Sequence, residues 1–487
     1  MILISIFVCF CLAAAVNYFR TRRQRKFIKN LKGPFSFPLL GSLHKILLLT
    51  PQNFFKNSAA YLAKYGNLTR CWAFHRLFIF VADLEFAAHL LHSESHVQTG
   101  AELMSDWFNE SSLMCAAEQW PQRHAQLIEI FRPERVLQQR KLWQQQQSLL
   151  QAKFLEQAAS REAFDVQPLV SSHVLDIVLL SNCGMQPSEQ YKQSFLDLTK
   201  LYRKRFLSIK SANRLTFRLT SPFVHRRQQR LIKRLNKDNR LMIDELRQQL
   251  DLMSSGIVIE RFELAKKLEH GSLLQLLLTG AEQQLSEAQL LAELNACNYL
   301  AYMLISTTLC FALVQIARHP GVQQRCLEEL RAQSEEQQLS ELPYLDAVLK
   351  ETLRLQPAQL WLARQLTEDY DYTHSQLGAG SLPLGAEIYM NLFALQRSSD
   401  DYGALPTKFE PTRFLAAHPV ELLSFGLGPR RCPAQDYSLL LLKTLLAPLL
   451  RQFELLPNGE PLRLDLHLTL GSKNGFQLAL KQREAIN

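Results

Sequence analysis

A run of twenty residues without a charged side chain, from residue 297 to residue 316, lies in the second half of this chain. It reads CNYLAYMLISTTLCFALVQI and has the pattern of a helix that is apolar on nearly every face. Such a helix must lie in the centre of a large folded body or cross a membrane. Polar side chains within it, such as Asn298 and Ser306, and helical patterns on both sides favour a buried central helix that ends near His319.

The remaining sequence is large enough to enclose such a helix. The chain has 487 residues, of which 47% are hydrophobic, and no clear linker or repeat divides it. Helical patterns dominate, and short strand-like stretches such as LFIFVA at residues 77–82 are a minority. The sequence therefore predicts a mainly α fold with small β-sheets.

The first nineteen residues, MILISIFVCFCLAAAVNYF, are uncharged, and the basic cluster RTRRQRK follows at once. Roughly twenty apolar residues can cross a bilayer as a helix, and a basic cluster tends to stay in the cytosol. A cleaved signal peptide would normally carry its positive charges before the apolar run. The order found here favours an uncleaved signal anchor with its N-terminus in the lumen.

The stretch LKGPFSFPLLGS, at residues 31–42, contains two glycines and two prolines and should be stiff and non-helical. We interpret it as a hinge between the membrane and the folded body. The expected organisation is a transmembrane signal anchor at residues 1–19, a basic stop-transfer and Pro/Gly hinge at residues 20–41, and one folded domain at residues 42–487.

The formal net charge of +10 is concentrated in residues 200–240, which hold fourteen Lys or Arg residues against a single acid, Asp238. Such a block is either a solvated helix face or a contact for an anionic partner. Behind a membrane anchor, anionic lipid is the better candidate. Few aromatic residues interleave with the charges, so we expect no nucleic-acid partner.

The cysteines are odd in number, widely spaced and without a CxxC pair, which argues against a disulfide framework or a zinc site and fits a reducing compartment. They are Cys9, Cys11, Cys71, Cys115, Cys183, Cys297, Cys310, Cys326 and Cys432.

One cysteine has an unusual context, the stretch FGLGPRRCPAQ, in which Arg430 and Arg431 precede Cys432. The helical pattern that follows predicts that Pro433 lies in a first helical turn and that Cys432 lies in the loop entering that helix. Nearby cations and helix N–H groups lower a thiol pKa, and a thiolate binds soft metals. A single cysteine is more often a small buried apolar residue, and both interpretations remain open on this stretch alone.

Further motifs favour the ligand interpretation. Phe425, Gly428, Arg430 and Cys432, with Ala434 in the last glycine place, match a Phe-x-x-Gly-x-Arg-x-Cys-x-Gly signature. The stretch KETLRLQP supplies a Glu-x-x-Arg pair in Glu351 and Arg354, and FEPTRF supplies Phe-x-Pro-x-Arg-Phe with Arg413. In their order and spacing the three motifs resemble those of the cytochrome P-450 family, over nearly the whole chain.

The resemblance implies a single-domain cytochrome P-450 fold, mainly α with small β-sheets and an N-terminal membrane-anchor helix. It implies that Cys432 is the axial ligand of the iron of haem b, with Phe425, Gly428 and Arg430 around the cofactor. Glu351, Arg354 and Arg413 would form a buried network behind the haem.

By position, Trp120 matches the tryptophan of the family's Trp-x-x-x-Arg helix, which contacts a haem propionate. His124 stands where the arginine is expected, and Arg123 is adjacent. Arginine binds a carboxylate with a fork of donors, whereas histidine is partly charged near neutral pH. Either Arg123 substitutes or propionate binding is weaker. Arg364 and Arg430 would be the other propionate partners, and His124 is alternatively an exposed helix residue.

The family's oxygen-activating motif aligns with the central helix and is altered. Thr307 and Thr308 match its threonines, with Thr307 placed to donate a hydrogen bond during oxygen activation. Ser306 replaces the usual acid and Leu304 the usual glycine. The hinge, the QIARHP stretch and the spacing resemble the microsomal family-four clan, common in insects. Met303 replaces a glutamate that esterifies haem in many of that clan, which predicts non-covalent haem.

The resemblance implies an oxidoreductase, a monooxygenase that inserts one atom of O₂ into a small hydrophobic substrate such as a lipid, steroid or xenobiotic. Electrons would come from NADPH-cytochrome P-450 reductase, with cytochrome b5 as a further partner. The protein would be single-pass in the endoplasmic reticulum (microsomal) membrane, its catalytic domain facing the cytosol and touching membrane lipid.

Two alternatives stay open because of Ser306 and Leu304. One is a reductase-independent haem isomerase or dehydratase of lipid peroxides, and the other is a non-catalytic haem- or lipid-binding protein. If the protein is a monooxygenase, as the resemblance implies, a basic surface with Arg123, Arg132, Arg135 and Arg431 would dock the reductase.

Overall fold

A computed structural model describes residues 1–50, 53–206, 208, 214–254, 271–280, 285–332, 341–375, 378–416 and 421–484. The chain forms two compact units, each assembled from several segments. The first unit comprises Met1–Glu102, Gln359–Pro406 and Phe425–Arg431, and the second comprises Leu103–Ala358, Thr407–Ser424 and Cys432–Asn487. The sequence predicted one domain over residues 42–487, and no change of composition marks the boundaries between the two units.

The helices in chain order are α1 (Ile2–Phe27), α2 (Leu43–Ile46), α3 (Phe54–Tyr65), α4 (Leu84–His92), α5 (Ser105–Phe108), α6 (Trp120–Ile130), α7 (Pro133–Gln138), α8 (Arg140–Ala158), α9 (Gln167–Cys183), α10 (Glu189–Arg205), α11 (Arg214–Thr220), α12 (Pro222–Ser254), α13 (Leu273–Thr279), α14 (Glu287–Arg318), α15 (Pro320–Ala332), α16 (Pro343–Leu355), α17 (Leu392–Leu395), α18 (Ser399–Tyr402) and α19 (Gln435–Gln452). The strands are β1 (Leu68–Ala73), β2 (Arg76–Val81), β3 (His96–Gln98), β4 (Phe164–Asp165), β5 (Trp361–Leu366), β6 (Tyr370–His374), β7 (Gly378–Leu382), β8 (Glu387–Asn391), β9 (Phe453–Leu456), β10 (Leu464–Leu466), β11 (Leu470–Ser472) and β12 (Gln477–Gln482).

The first unit is organised around a five-stranded sheet with the order β1-β2-β8-β5-β3. Strands β1 and β2 form an antiparallel hairpin that pairs Leu68 with Val81, and β2 continues in parallel with β8. Alternate residues of β2, such as Ile79 and Val81, are fully buried, which is the period-2 pattern of a sheet packed on one face. The strand predicted at residues 77–82 is therefore confirmed.

Helix α1 runs unbroken from the apolar segment through the basic cluster to Phe27. Its last turns pack on the sheet: Thr21 is buried, and the Arg25 guanidinium lies 4.7 Å from the centre of the Trp72 ring. Residues 4–27 form one of two described helices long and apolar enough to cross a membrane. The basic residues thus continue the anchor helix into the first unit.

The Pro/Gly stretch that was interpreted as a hinge lies along strand β1. The Arg70 N–H donates to the Lys32 carbonyl at 3.0 Å, and the Ser42 N–H donates to the Trp72 carbonyl at 2.6 Å. Gly33 passes so close that a Cβ there would lie 2.1 Å from the Arg70 carbonyl oxygen. These hydrogen bonds join the Pro/Gly stretch to strand β1 of the first unit.

The second unit is built around α14, the helix that contains the uncharged run. Its N-terminus carries a capping box in which Ser286 and Gln289 bond to each other's backbone N–H, and its C-cap is His319. Helix α14 packs against α5, α9, α16 and α19, and 78% of its most apolar stretch is buried inside the protein. The predicted buried central helix, with its end near His319, is confirmed.

The basic block of residues 200–240 falls on α10, α11 and α12, with residues 207 and 209–213 outside the described part. Four of its arginines are used inside the unit: Arg205 stacks on a phenylalanine ring, Arg214 pairs with Asp106, Arg227 with Asp197 and Arg240 with Glu287. Apolar side chains of α11 and α12 are exposed nearby: Leu215, Leu219 and Phe223.

Candidate functional site

Cys432 lies three residues before α19, in the second unit, and is partly buried. Helix α19 begins at Gln435 with Ala434 as its N-cap, so Pro433 precedes the helix and is not in its first turn as the sequence suggested. Burial raises the pKa of the Cys432 thiol to about 11, although a hydrogen bond from the Ala434 backbone lowers it. The expected net lowering of this pKa is therefore wrong for the protein alone.

In the middle of α14, the side chains on one face are less buried than the other side chains of the helix. Cys297, Leu300, Ala301 and Leu304 are partly accessible, whereas the residues between them are buried. Their spacing places them on one side of the helix. Leu304, which replaces the expected glycine, belongs to this accessible stripe. A flat apolar group could pack on it.

The three hydroxyl residues expected to be catalytic make different contacts. The Thr308 hydroxyl donates to the Leu304 carbonyl of its own helix at 2.8 Å, and the Ser306 hydroxyl is buried without a hydrogen-bond partner in the described structure. The Thr307 hydroxyl bonds to that of Thr469 at 3.4 Å. Thr469 lies in the turn between β10 and β11 and was missed by the sequence analysis because a single threonine in a turn carries no motif.

Glu351, Arg354 and Arg413 meet in the second unit. The Arg354 guanidinium binds the Glu351 carboxylate through two bonds of 2.6 and 2.8 Å, and both side chains are fully buried. The Arg413 Nε lies 3.6 Å from the same carboxylate, which also accepts the Glu410 N–H at 2.8 Å. This arrangement satisfies a buried acid with two cations and a backbone donor, as a buried charge requires.

Helix α6 carries the three residues expected near a propionate. The His124 ring stacks on the Trp120 ring with centroids 4.7 Å apart and is buried, so the alternative of an exposed helix residue is wrong. The Arg123 guanidinium is buried and forms an ion pair with Glu293 of α14. Arg123 is therefore excluded from an exposed docking surface, because Glu293 draws it into the protein.

The Arg123–Glu293 pair belongs to a polar cluster that the sequence analysis missed. The Ser112 N–H and hydroxyl both donate to the Glu293 carboxylate, at 2.8 and 2.7 Å. The Nη1 of Arg123 is buried and has no hydrogen-bond partner among the described residues. A buried guanidinium with a free nitrogen suits an anionic group such as a carboxylate.

In the first unit, Arg364 of β5 is buried and donates through Nη1 to the Ala363 carbonyl at 2.9 Å and to the Gln98 side chain. Burial and the nearby Arg430 lower the pKa of Arg364 to about 10. Burial, Arg364 and Arg430 likewise lower the pKa of His96 to about 4. Two guanidinium groups thus share one region of this unit, which again suits anionic groups.

The loop with Phe425, which is partly exposed, turns through two glycines of positive φ, Gly426 at 69° and Gly428 at 66°. A Cβ on Gly428 would lie 2.2 Å from the Leu91 carbonyl oxygen at the end of α4. Gly428 is therefore required both by its backbone conformation and by this close approach. The chain then enters the second unit between Arg431 and Cys432.

These residues fit haem b. The second unit offers a thiol before a helix, an apolar stripe on α14 and a free guanidinium nitrogen on Arg123. No cluster of three or more His, Cys, Asp or Glu side chains in the described part could hold a metal ion.

Comparison with known proteins agrees with this geometry. The family model described as Cytochrome P450 matches residues 31–478. "Probable cytochrome P450 316a1" of Drosophila melanogaster is 51% identical over 99% of this chain and 100% of its own length. "Cytochrome P450 4d8" and "Cytochrome P450 4d2" of the same species are 30% and 28% identical, over 90% and 93% of this chain and 99% and 94% of theirs.

The predicted resemblance to the insect family-four clan is thus confirmed, as are the mainly α fold and the haem-thiolate class of enzyme. Members of this family are monooxygenases that bind haem b through a cysteine thiolate. They generally act on hydrophobic substrates with the help of redox partners. This chain belongs to the cytochrome P450 family.

Proposed function

We propose that this protein is a membrane-anchored monooxygenase that inserts one atom of O₂ into a hydrophobic substrate. Electrons would come from NADPH-cytochrome P-450 reductase, with cytochrome b5 as an additional donor. The observation that carries the proposal is the position of Cys432, partly accessible and immediately before α19, in the unit that also presents the apolar stripe of α14.

The bound haem supplies the oxidation chemistry, and the side chains hold it and control protons. Cys432 would hold the haem iron as a thiolate once its proton has left, because burial otherwise keeps the thiol neutral. Arg123 would donate from Nη1 to one haem propionate, and its ion pair with Glu293 fixes the position of the guanidinium.

Proton delivery depends on hydroxyl groups because Ser306 replaces the usual acid. Thr307 holds a hydrogen bond with Thr469, so the two hydroxyls can pass a proton between the helix and the β10–β11 turn. We propose Thr307 and Thr469 as the proton-handling pair. Thr308, which bonds to its own helix, and Ser306, buried in α14, contribute to the shape of this region.

Substrate binding would use the apolar core beside α14. Trp107 of α5 stacks parallel to Tyr202 of α10 with centroids 5.8 Å apart and meets Tyr299 of α14 edge-on at 5.4 Å. Large aromatic surfaces favour apolar ligands. The substrate is therefore a lipid, steroid or xenobiotic and not a small polar metabolite.

The proposed location is the endoplasmic reticulum membrane, crossed once by α1, with both units in the cytosol. The apolar run before the basic cluster supports this orientation. The exposed Leu215, Leu219 and Phe223, together with the basic block, support a second contact of α11 and α12 with lipid.

Two alternatives remain relevant because Leu304 and Ser306 alter the oxygen-activating helix: a reductase-independent isomerase or dehydratase of lipid peroxides, and a non-catalytic haem- or lipid-binding protein. The Thr307–Thr469 pair favours the monooxygenase, since it keeps a hydroxyl path for protons.

The test is NADPH consumption by the purified full chain with purified reductase, O₂ and a panel of hydrophobic substrates. Substrate-dependent consumption with an oxygenated product supports the proposal. Turnover of lipid hydroperoxides without reductase, in the absence of NADPH-dependent product, would identify the isomerase. Haem binding with neither activity would identify the non-catalytic protein.

A further inference from the structure

A polar cleft of about 530 Å³ lies in the first unit, where the end of α1 meets the sheet. Its walls include Arg20 and Arg23 of α1, His75 and Arg76 of the β1–β2 hairpin, Glu102, and Glu387 of β8. The α1 residues share one face of the helix, since the cleft also includes Gln24, four residues after Arg20. The anchor helix therefore forms one wall.

Most charges in the cleft are already matched. Arg76 binds Glu387 through two bonds of 2.6 and 2.7 Å, and Arg23 lies 2.5 Å from Asp369. Burial, Arg20 and Arg76 lower the pKa of His75, so this ring is neutral near pH 7. Two charged residues of the cleft lie outside these ion pairs, and their charges determine which ligand the cleft can bind.

Those two residues are Arg20 and Glu102, of opposite sign. In the described structure neither forms an ion pair of 4.0 Å or less. The Glu102 carboxylate is held in place by the Thr99 hydroxyl at 2.5 Å and by the Gly100 N–H at 3.1 Å. Outside its ion pairs the cleft thus offers one cation, Arg20, and one oriented anion, Glu102, whose carboxylate also interacts electrostatically with Arg76. The two charges complement a ligand that carries both signs.

The position of Arg20 along α1 indicates the source of such a ligand. The apolar segment ends at Phe19, and an apolar helix of about twenty residues spans the hydrocarbon core. If α1 crosses the bilayer, as proposed above, Arg20 and the cleft lie at the depth of the lipid headgroups. Phosphate and ammonium groups are concentrated at that depth.

We propose that this cleft binds the headgroup of one zwitterionic phospholipid, with its phosphate at Arg20 and its ammonium at Glu102. The inference rests on the proposed anchoring by α1. A phosphatidylglycerol headgroup fits less well, because its glycerol is uncharged and offers the Glu102 carboxylate no counterpart to the ammonium of a zwitterionic headgroup. The lipid would fasten the anchor helix to the sheet of the first unit.

The test uses the full chain in bilayer nanodiscs of equal parts phosphatidylethanolamine and phosphatidylglycerol, with native mass spectrometry of the lipid retained after mild extraction. We expect one retained phosphatidylethanolamine. Arg20→Gln should reduce its retention about tenfold, whereas Arg22→Gln, which removes the same charge from an exposed position of the same turn outside the cleft, should not. Glu102→Gln should shift retention toward phosphatidylglycerol, and the exposed control Glu94→Gln should not.

Equal losses for Arg20→Gln and Arg22→Gln, or equal retention of both lipids by the unmodified chain, would show a general surface-charge effect and overturn the site. Displacement of the lipid by millimolar inorganic phosphate would identify a free-anion site and also overturn it. Flotation with vesicles reports separately on anchoring: a chain that does not float contradicts the membrane anchor itself, whereas a chain that floats but shows no selective lipid contradicts only the cleft.

Discussion

The hydroxyl oxygens of Thr307 and Thr469 lie 3.4 Å apart, although the two residues are 162 positions apart in the chain. Thr307 belongs to the central helix α14 and Thr469 to the turn between β10 and β11. Since Ser306 cannot ionise near neutral pH, this pair is the hydroxyl connection available to Thr307 within the described structure. It ties proton delivery to a C-terminal hairpin.

Thr469→Val should increase the fraction of NADPH electrons that end in peroxide about fivefold, the equivalent of one hydrogen bond of about 1 kcal/mol. Peroxide formed per NADPH consumed measures this. Thr469→Ser keeps the hydroxyl and should remain close to the unmodified enzyme. Thr444→Val removes a buried hydroxyl that bonds to its own helix in α19 and serves as a control. Equal effects of Thr469→Val and Thr444→Val would contradict the proton path.

Cys432→Ser should abolish the red-shifted Soret band of the reduced carbon-monoxide complex, because a serine cannot supply the thiolate. Cys297→Ser should keep that band. Cys297 is the matched control, since it is also partly accessible and lies in the same unit. A spectrum without the red shift in the unmodified protein would defeat the assignment of Cys432.

Glu351→Gln should lower the free energy of unfolding by about 3–5 kcal/mol, because it leaves the buried Arg354 guanidinium and the partly buried Arg413 guanidinium without their counter-charge. Denaturant unfolding and the haem content of the purified protein both report the loss. Glu156→Gln, which breaks an exposed pair with Lys153, should cost less than about 1 kcal/mol. Similar costs for the two variants would show that the Glu351 network is not structurally important.

The sequence was sufficient for features that depend on neighbours in the chain. The uncharged run predicted α14, and a local motif predicted the contact of Glu351 with Arg354, because an i, i+3 spacing on a helix places the two side chains together. Alternation within LFIFVA predicted a strand of the sheet for the same reason.

Features that depend on distant segments were missed. Glu293 draws Arg123 inward, and Ser112 completes that cluster from a third segment, so no local pattern indicated that Arg123 is buried. Thr469 meets Thr307 through a turn without a motif. The pKa of Cys432 was expected to fall, because the sequence shows neighbouring charges and a helix start but not the burial that outweighs them.

Arg132→Glu combined with Arg135→Glu should slow reduction by the reductase about tenfold at low salt and weaken its salt dependence. Both arginines pair with the single acid Glu129, at 2.6 and 3.0 Å, which leaves net positive charge for an acidic partner. Stopped-flow reduction at several ionic strengths measures this. Lys153→Glu, on the exposed part of α8, is the charge-matched control. An unchanged rate in the double variant would exclude this surface from docking.

Haem should separate from the polypeptide during denaturing chromatography, since Met303 carries no carboxylate that could form an ester. Absorbance at the haem wavelength in the protein fraction measures covalent attachment. Met303→Glu, which restores the carboxylate, is the informative comparison and should retain part of the haem. Haem that stays on the unmodified chain would overturn the prediction.

If α1 crosses the bilayer, as proposed, its unbroken course makes bilayer thickness a mechanical variable for the first unit. A helix without a joint between its apolar segment and Phe27 transmits tilt, and its last turns are held on the sheet by buried Thr21 and by Arg25 over Trp72. When the apolar segment of a helix is longer than the hydrocarbon core is thick, a thinner membrane increases the tilt of the helix. The sheet would then rotate with the helix, so lipid composition would set the angle at which this unit stands on the membrane surface.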